Sequence, residues 1–465
     1  TDTLDAWQRA TAVDSAAGNC TIEDPDWGGR VVCEPGNLNI GDVIEVQVTV
    51  EVNSSAPLGQ ELVNTVSAHA GKAANTIQSV VYAQDCHVRI GDNPKEYTSV
   101  QSAVDAAYSY ALVKVAGTCM GVFGPEGARQ QVLLEQTLTL QGGYTTANWT
   151  APDPESNITT LDARGQGRVL FINTQTPGGT VIDGLHITGG NSTYQVGGHS
   201  PFDHHGSRGG GVYVYGSDPT FSNDHIYANI AAEEGGGMAN SFCNCTIRNT
   251  TFSGNTTRTV GGGLSVHAGG TELYDSLFVG NSAENGGGFG SGAVGGGRFF
   301  RTTFIDNHAS GFGGGLAVET AAFLNETLIL SNTAAYGGGI AFFEGISPFS
   351  PNAVLTNTVI ADNQATLEGA GVFIPSGGAV KMLHTTLARN TGGDGSGITL
   401  GWYDWMSPGV STLAMTDTIV AYQDVGIRVT DASTVTVGGV LWFANSSNVW
   451  QSEDATVWKW NEVTG

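Results

Sequence analysis

The sequence predicts an all-β protein whose main body is a right-handed parallel β-helix with three strands per coil, preceded by a small, incomplete β-sandwich. Three observations predict the helix. Glycine trios begin at 209, 235, 261, 286, 313 and 337, at intervals of 26, 26, 25, 27 and 24, with degenerate versions at Gly369-Ala-Gly371 and Gly395-Ser-Gly397. Asparagines run in phase with them: Asn229, Asn255, Asn281, Asn307, Asn332, Asn363, Asn390 and, more loosely, Asn445. Three residues before each stands an apolar side chain (Ile226, Phe252, Phe278, Phe304, Ile329, Ile360, Leu387, Trp442). Eight residues before stands another (Phe221, Ile247, Leu273, Phe299, Leu324, Leu355, Met382, Val437).

A fixed period containing short alternating strands, such as Leu264-Ser-Val266 and Leu316-Ala-Val318, makes each repeat one coil of a solenoid. A coil of about 26 residues is too short for a propeller blade, and the strands exclude helical repeats. The apolar residues then point inward and stack on their equivalents one coil away. Each asparagine sits at a bend, where its amide can bond the equivalent amides at about 4.8 Å spacing. The glycines permit positive φ and close backbone approach at a corner. Roughly a dozen such coils make a rod about 60 Å long. Asn229, Asn255, Asn281, Asn307, Asn332, Asn363 and Asn390 are therefore scaffold residues.

Taken in order along the chain, residues 1–82 alternate over several strands with Pro/Gly turns between, a β-sandwich pattern. Residues 83–111 are a linker and a capping helix. In "TSVQSAVDAAYSY", Val100, Ala103, Val104 and Ala107 share one helical face behind Thr98 or Ser99 as N-cap. Such a helix would cover the apolar end of the solenoid, as terminal repeats must. Residues 112–465 form the rod, with "EGISPFSPN" thrown out as a loop.

The six cysteines fall into local pairs, Cys20 with Cys33, Cys86 with Cys119 and Cys243 with Cys245, without a C-x-x-C pattern. Disulfides in an oxidising compartment follow. Cys243 and Cys245 share a strand face, at a separation near the upper limit for a bridge. Ten N-x-S/T sequons point to a secreted chain. Asn19, Asn53, Asn148, Asn157, Asn191, Asn244, Asn249 and Asn325 are the possible glycosylation sites, whereas Asn255 and Asn445 hold ladder positions expected to be buried.

A formal charge of −25 makes nucleic acid an improbable partner, because phosphate binding needs clustered cations. No run of 18 apolar residues is present, so no membrane-spanning helix is expected. Calcium is the cation such a surface would attract, but no site and no other cofactor is assigned. The motifs of polygalacturonase-like enzymes are missing, and no aspartate cluster with a nearby arginine matches a pectate lyase. Glu233, Glu234, Glu284, Glu319 and Glu368 lie beside the glycines, a recurrence that suits a solvated rim better than a paired-carboxylate site. His199, Asp203, His204, His205 and Arg208 in "GGHSPFDHHGSR" carry metal-ligating types, yet in a loop without ligand spacing. Trp402, Tyr403 and Trp405 could stack on sugars or pack their loop onto the rod.

Two stretches carry resemblances. "TDTL", "VVCEPGNLNIGDVIEVQVTVEV" and "LVNTVSAHA" resemble the later strands of an immunoglobulin-like module repeated on bacterial surface proteins, without the module's first two strands. "YTSVQSAVDAA", "LTLQGGYTTANWT", "LDARGQGRVLFI" and "LHTTLARNTGGDGSG" resemble right-handed β-helix surface proteins of filamentous Chloroflexota-type bacteria. The glycine-apolar and F-x-x-N elements are similar to repeats of polymorphic outer-membrane adhesins. These resemblances imply secretion and surface display and hand over no catalytic residue.

The expectation is a non-enzymatic extracellular structural protein at the bacterial cell surface. Its partners would be copies of itself, joined head-to-tail into a filament by β-strand addition, with "ATVWKWNEVTG" as candidate donor. The sandwich short of strands and a β-helix expected to lack a C-terminal cap are the two open ends behind this expectation, and a fragment of a longer polypeptide would explain them equally. A cell-surface adhesin or carbohydrate-binding stalk, meeting surface glycans or receptors, is the alternative, and a polysaccharide lyase or hydrolase the second.

Overall fold

The computed structural model describes residues 1–465 except 16–18, 38–44, 54, 71–72, 126, 194–205, 343–351, 376, 402–409, 431–432, 461–462 and 465. The chain divides into two compact units, Thr1–Asp85 and Cys86–Gly465. The division falls slightly beyond the expected boundary at 82.

The first unit is built from two antiparallel sheets. Asn19–Asp24, Arg30–Glu34, Asp2–Thr3, Glu61–Ala70 and Ala73–Tyr82 lie side by side in that order, and Gln8–Ser15 pairs with Val46–Val52. Leu4 and Val31 from the larger sheet meet Ala10, Val13, Val48 and Val50 from the smaller, so the sheets face each other across a small apolar core. The Cys20–Cys33 disulfide joins residues that are direct cross-strand partners.

The second unit is a parallel β-helix. Among the described residues its strands form three long parallel stacks and a shorter fourth, which runs from Ile230–Ala231 through Thr256–Thr257, Ser282–Ala283, His308–Ala309 and Thr333–Tyr336 to Gln364–Glu368. In one, Val212–Tyr215 pairs with Met238–Arg248, which pairs with Leu264–Tyr274. In another, Ala321–Asn325, Asn352–Thr356 and Ala379–Leu383 follow one another. The third runs through His225–Tyr227, Thr251–Ser253 and Leu277–Val279. From Met238 to Phe300 the first two stacks merge into three long strands with bulges at the bend.

Both predicted apolar columns point inward. Every residue of the −3 and −8 sets is buried, and the Phe252, Phe278 and Phe304 rings stack at 4.6 and 4.7 Å. Each such side chain removed from water contributes about 1.5–3 kcal/mol. The asparagines form a continuous ladder. Asn229 donates from both its backbone N–H and its Nδ2 to Asn255 Oδ1, each at 3.1 Å, and the motif repeats through Asn281, Asn307, Asn332, Asn363 and Asn390. The spare Nδ2 hydrogen goes to a carbonyl of the preceding coil, as from Asn281 to Phe252 at 2.9 Å.

The trio 261–263 shows why glycine is needed. Gly261 has φ 70°, and a Cβ on Gly262 or Gly263 would stand 2.5 or 2.6 Å from the carbonyl oxygen of Gly287 or Gly288. Glycine is absent from most of the remaining bends, however. Asn223, Asn249, Asp275, Arg301, Glu326, Asn357, His384 and Asp417 all have φ between 45° and 59°. Polar side chains can reach their neighbours there: Asn249 Nδ2 donates to Asn223 Oδ1 at 2.8 Å.

The capping helix spans Val100–Ala106. Ser99 is its N-cap, accepting from the Ser102 N–H, and Val100, Ala103 and Val104 are buried. The Cys86–Cys119 disulfide ties the strand before this helix to the strand after it.

Candidate functional site

The first unit holds an open slot. Asp2 pairs with both Val31 and Val66, so the strand Asp2–Thr3 lies between Arg30–Glu34 and Glu61–Ala70. Thr1 still bonds Ser67 in both directions, at 2.8 and 3.0 Å. Cys33, Glu34, Ala68 and His69, farther along the two flanking strands, line the same hollow. Val46 and Val48 of the facing sheet floor it, Val31 and Val66 line it, and its volume is about 740 Å³. Val66 is 43% exposed, and its cross-strand partner Ile77 is 65% exposed. Burial pushes the Asp2 carboxyl up, against the pull of the N-terminal ammonium. An apolar slot between two strand edges has the geometry for one more extended strand.

On the rod, the glutamates beside the glycines do not form a uniform solvated rim. The outward residues Tyr213, Ser265, Ala317, Phe373 and Thr399 are buried, because the segment before each trio lies over them. Phe312 and Tyr336, for example, pack on Phe373 at 6.1 and 5.1 Å. Glu234 is only 17% exposed at its side chain and pairs with Arg208 at 2.9 Å. His267 Nδ1 lies 3.6 Å from the same carboxylate. Burial, then the charge of Glu234, pushes the Glu319 carboxyl up, while His267 pulls it down. Farther along, Asp394 accepts from Ser396 Oγ at 2.6 Å and from Arg428 Nη1 at 3.0 Å, and Glu368 is raised by burial and by Asp394. Glu284 is exposed as expected. These pairs sew the covering segments to the sheet.

The remaining sequence candidates divide sharply. Arg208 is buried in the Glu234 pair, whereas His199, Asp203, His204, His205, Trp402, Tyr403 and Trp405 lie outside the described residues. So does nearly all of the insertion at 344–352. Among the described residues no group of three His, Cys, Asp or Glu side chains is placed to hold a metal ion. No helix among them is long and apolar enough to cross a membrane.

Of the predicted sequons, Asn19, Asn148, Asn244 and Asn249 are exposed, and Asn53, Asn157, Asn191 and Asn325 are half-buried. Asn255 is buried in the ladder. Asn445 is a correction: it is half-exposed, although its Nδ2 donates to Val420 O at 2.8 Å. Cys243 and Cys245 are another. They are buried, unbridged thiols whose Sγ atoms lie 2.9 Å apart, on the bulged strand where Phe242 has φ 57°. Residue Gln423 was missed in the ladder. Its N–H donates to Asn445 Oδ1 at 2.9 Å, and Val420 and Met415 stand three and eight residues before it, the signal that could have found it.

Fold and cysteine chemistry together describe a parallel β-helix protein carrying a small antiparallel β unit, whose two disulfides suit an extracytoplasmic, oxidising compartment. No family model and no curated protein matches the chain, so the likeness to surface modules and adhesin repeats rests on its own sequence stretches. Among solved structures, the periplasmic alginate epimerase AlgG is similar at a TM-score of 0.36 and 10% identity, covering 76% of this chain and 85% of that one.

Proposed function

We propose that this protein is a non-enzymatic extracellular structural subunit whose rod serves as a spacer and whose first unit accepts a β-strand from a second copy, giving head-to-tail filaments. The apolar hollow lined by Val31, Val46, Val48 and Val66 carries the reading. It offers strand edges on both sides and an apolar floor, the combination that makes strand addition favourable. Such a contact uses different surfaces on the two copies and therefore propagates instead of closing. The rod supports the role because hydrogen bonds and buried apolar columns continue from coil to coil, as a spacer under tension requires.

The donor is not a dangling tail. Thr456–Trp460 pairs in parallel with Thr434–Gly438, so the segment proposed from sequence belongs to a coil and would have to leave it to donate. Electron microscopy of the recombinant chain at micromolar concentration tests the proposal. Filaments that disappear on Val66→Lys, which puts a charge into the slot, are the expected result. Persisting filaments after deletion of 456–465 would place the donor elsewhere in the chain. Monodisperse particles at every concentration would sink the assembly reading and leave the slot to residues preceding Thr1 in a longer polypeptide.

A further inference from the structure

The outward face of the merged strands contains a second concavity. In successive coils, positions Asn244, Gly270, Gly296 and Ala321 align in one column, and Thr246, Glu272, Arg298, Phe323 and Val354 in the next. Gly270 and Gly296 have no side chain to fill the first column, so a trough of about 710 Å³ opens between Asn244 on one side and Glu272, Arg298, Phe323 and Val354 on the other. Beside it, the Tyr274 and Phe300 rings stack at 4.9 Å, with Arg248 over Tyr274 at 4.1 Å and Arg298 5.4 Å from the Phe323 ring.

We infer that this trough is a binding site for a neutral polysaccharide chain lying along the rod. Three properties select that ligand. Charge is balanced, since Arg298 faces Glu272 at 3.7 Å and Arg248 beside Tyr274 is offset by Asp218, which accepts from the Asn244 N–H at 2.7 Å, so an anionic chain finds no net attraction. Flat ring and guanidinium surfaces suit the C–H faces of pyranose rings, while the exposed heads of Arg298 and Glu272 supply donors and acceptors for hydroxyls. Periodicity matches as well: coils about 4.8 Å apart present the same columns repeatedly, close to the advance of one sugar in an extended glycan. A protein strand is disfavoured, because this is the face of a fully paired sheet and offers no backbone edge. The volume lies within the range of small-ligand sites.

The test is binding of the full-length chain to an array of neutral and uronic-acid oligosaccharides, followed by calorimetry with the strongest neutral probe. Phe323→Ala removes the stacking ring. Gly270→Gln fills the floor, where φ is not positive and a Cβ meets only Asn244 Oδ1 at 3.3 Å. Each variant is expected to weaken binding roughly tenfold or more with an unchanged circular dichroism spectrum. Failure to bind any neutral oligosaccharide, preference for the uronates, or binding that survives both variants would overturn the inference. None of these outcomes depends on filament formation.

Discussion

Asn281 lies between Asn255 and Asn307, and its amide serves both. Replacing it with alanine strands the Asn255 N–H and Nδ2 in a dry interior. Each buried polar group left unpaired costs about 1–3 kcal/mol, so Asn281→Ala is expected to lower stability by several kcal/mol in denaturant unfolding. Asp224 is the opposite case. It is fully buried at a position where other coils have Thr250, Ser276 and Thr302, accepting from the Leu185 and Ser222 N–H groups at 2.9 and 3.1 Å. Burial first, then the charge of Asp183, pushes its carboxyl well above the usual carboxylate range. The folded state therefore binds more protons than the unfolded one, and this group's contribution falls as pH rises above the ordinary carboxylate range. Asp224→Thr should raise stability at pH 7 by roughly 1–3 kcal/mol and flatten the loss between acid and neutral pH. Unchanged melting curves from pH 4 to 7 would contradict it.

At the scale of elements, the capping helix has only seven residues, too few to be stable alone. Val100, Ala103 and Val104 hold it against the first coil, and the Cys86–Cys119 disulfide closes a loop around it with a sequence separation of 33. Cys86→Ser with Cys119→Ser should cost about 2–4 kcal/mol. Hydrogen exchange should localise the loss to residues 86–120, with the mid-rod ladder unaffected. This helix was legible because its cap, Ser99, and its apolar spacing are local signals. The unbridged Cys243–Cys245 pair was not, because whether two side chains on one strand can approach depends on the bulge at Ser241–Cys243, a matter of register with the next coil.

At the scale of the whole molecule, stability in the rod is distributed coil by coil, and the trough is where the repeat leaves something unfilled. There a glycine column stands where neighbouring columns carry side chains, whereas the slot belongs to the first unit, outside the repeat. The excess of acidic residues keeps such a repetitive surface soluble, so association depends on specific contacts.

The sequence by itself determined the coil period, both inward columns, the asparagine ladder and two disulfides, because each depends on residues at fixed local offsets. It hid the coil of Gln423, where the backbone N–H still donates to Asn445 Oδ1 but the side-chain amide turns back to Ala421 O of its own coil. Only the tertiary structure decided that Glu234 and Asp394 are clamped under a covering layer, and that Thr456–Trp460 is part of a coil. It alone showed where strands leave a slot or a trough. Those features are set by which segments from different coils come to lie against one another, and outward-facing positions carry no periodic signal for that.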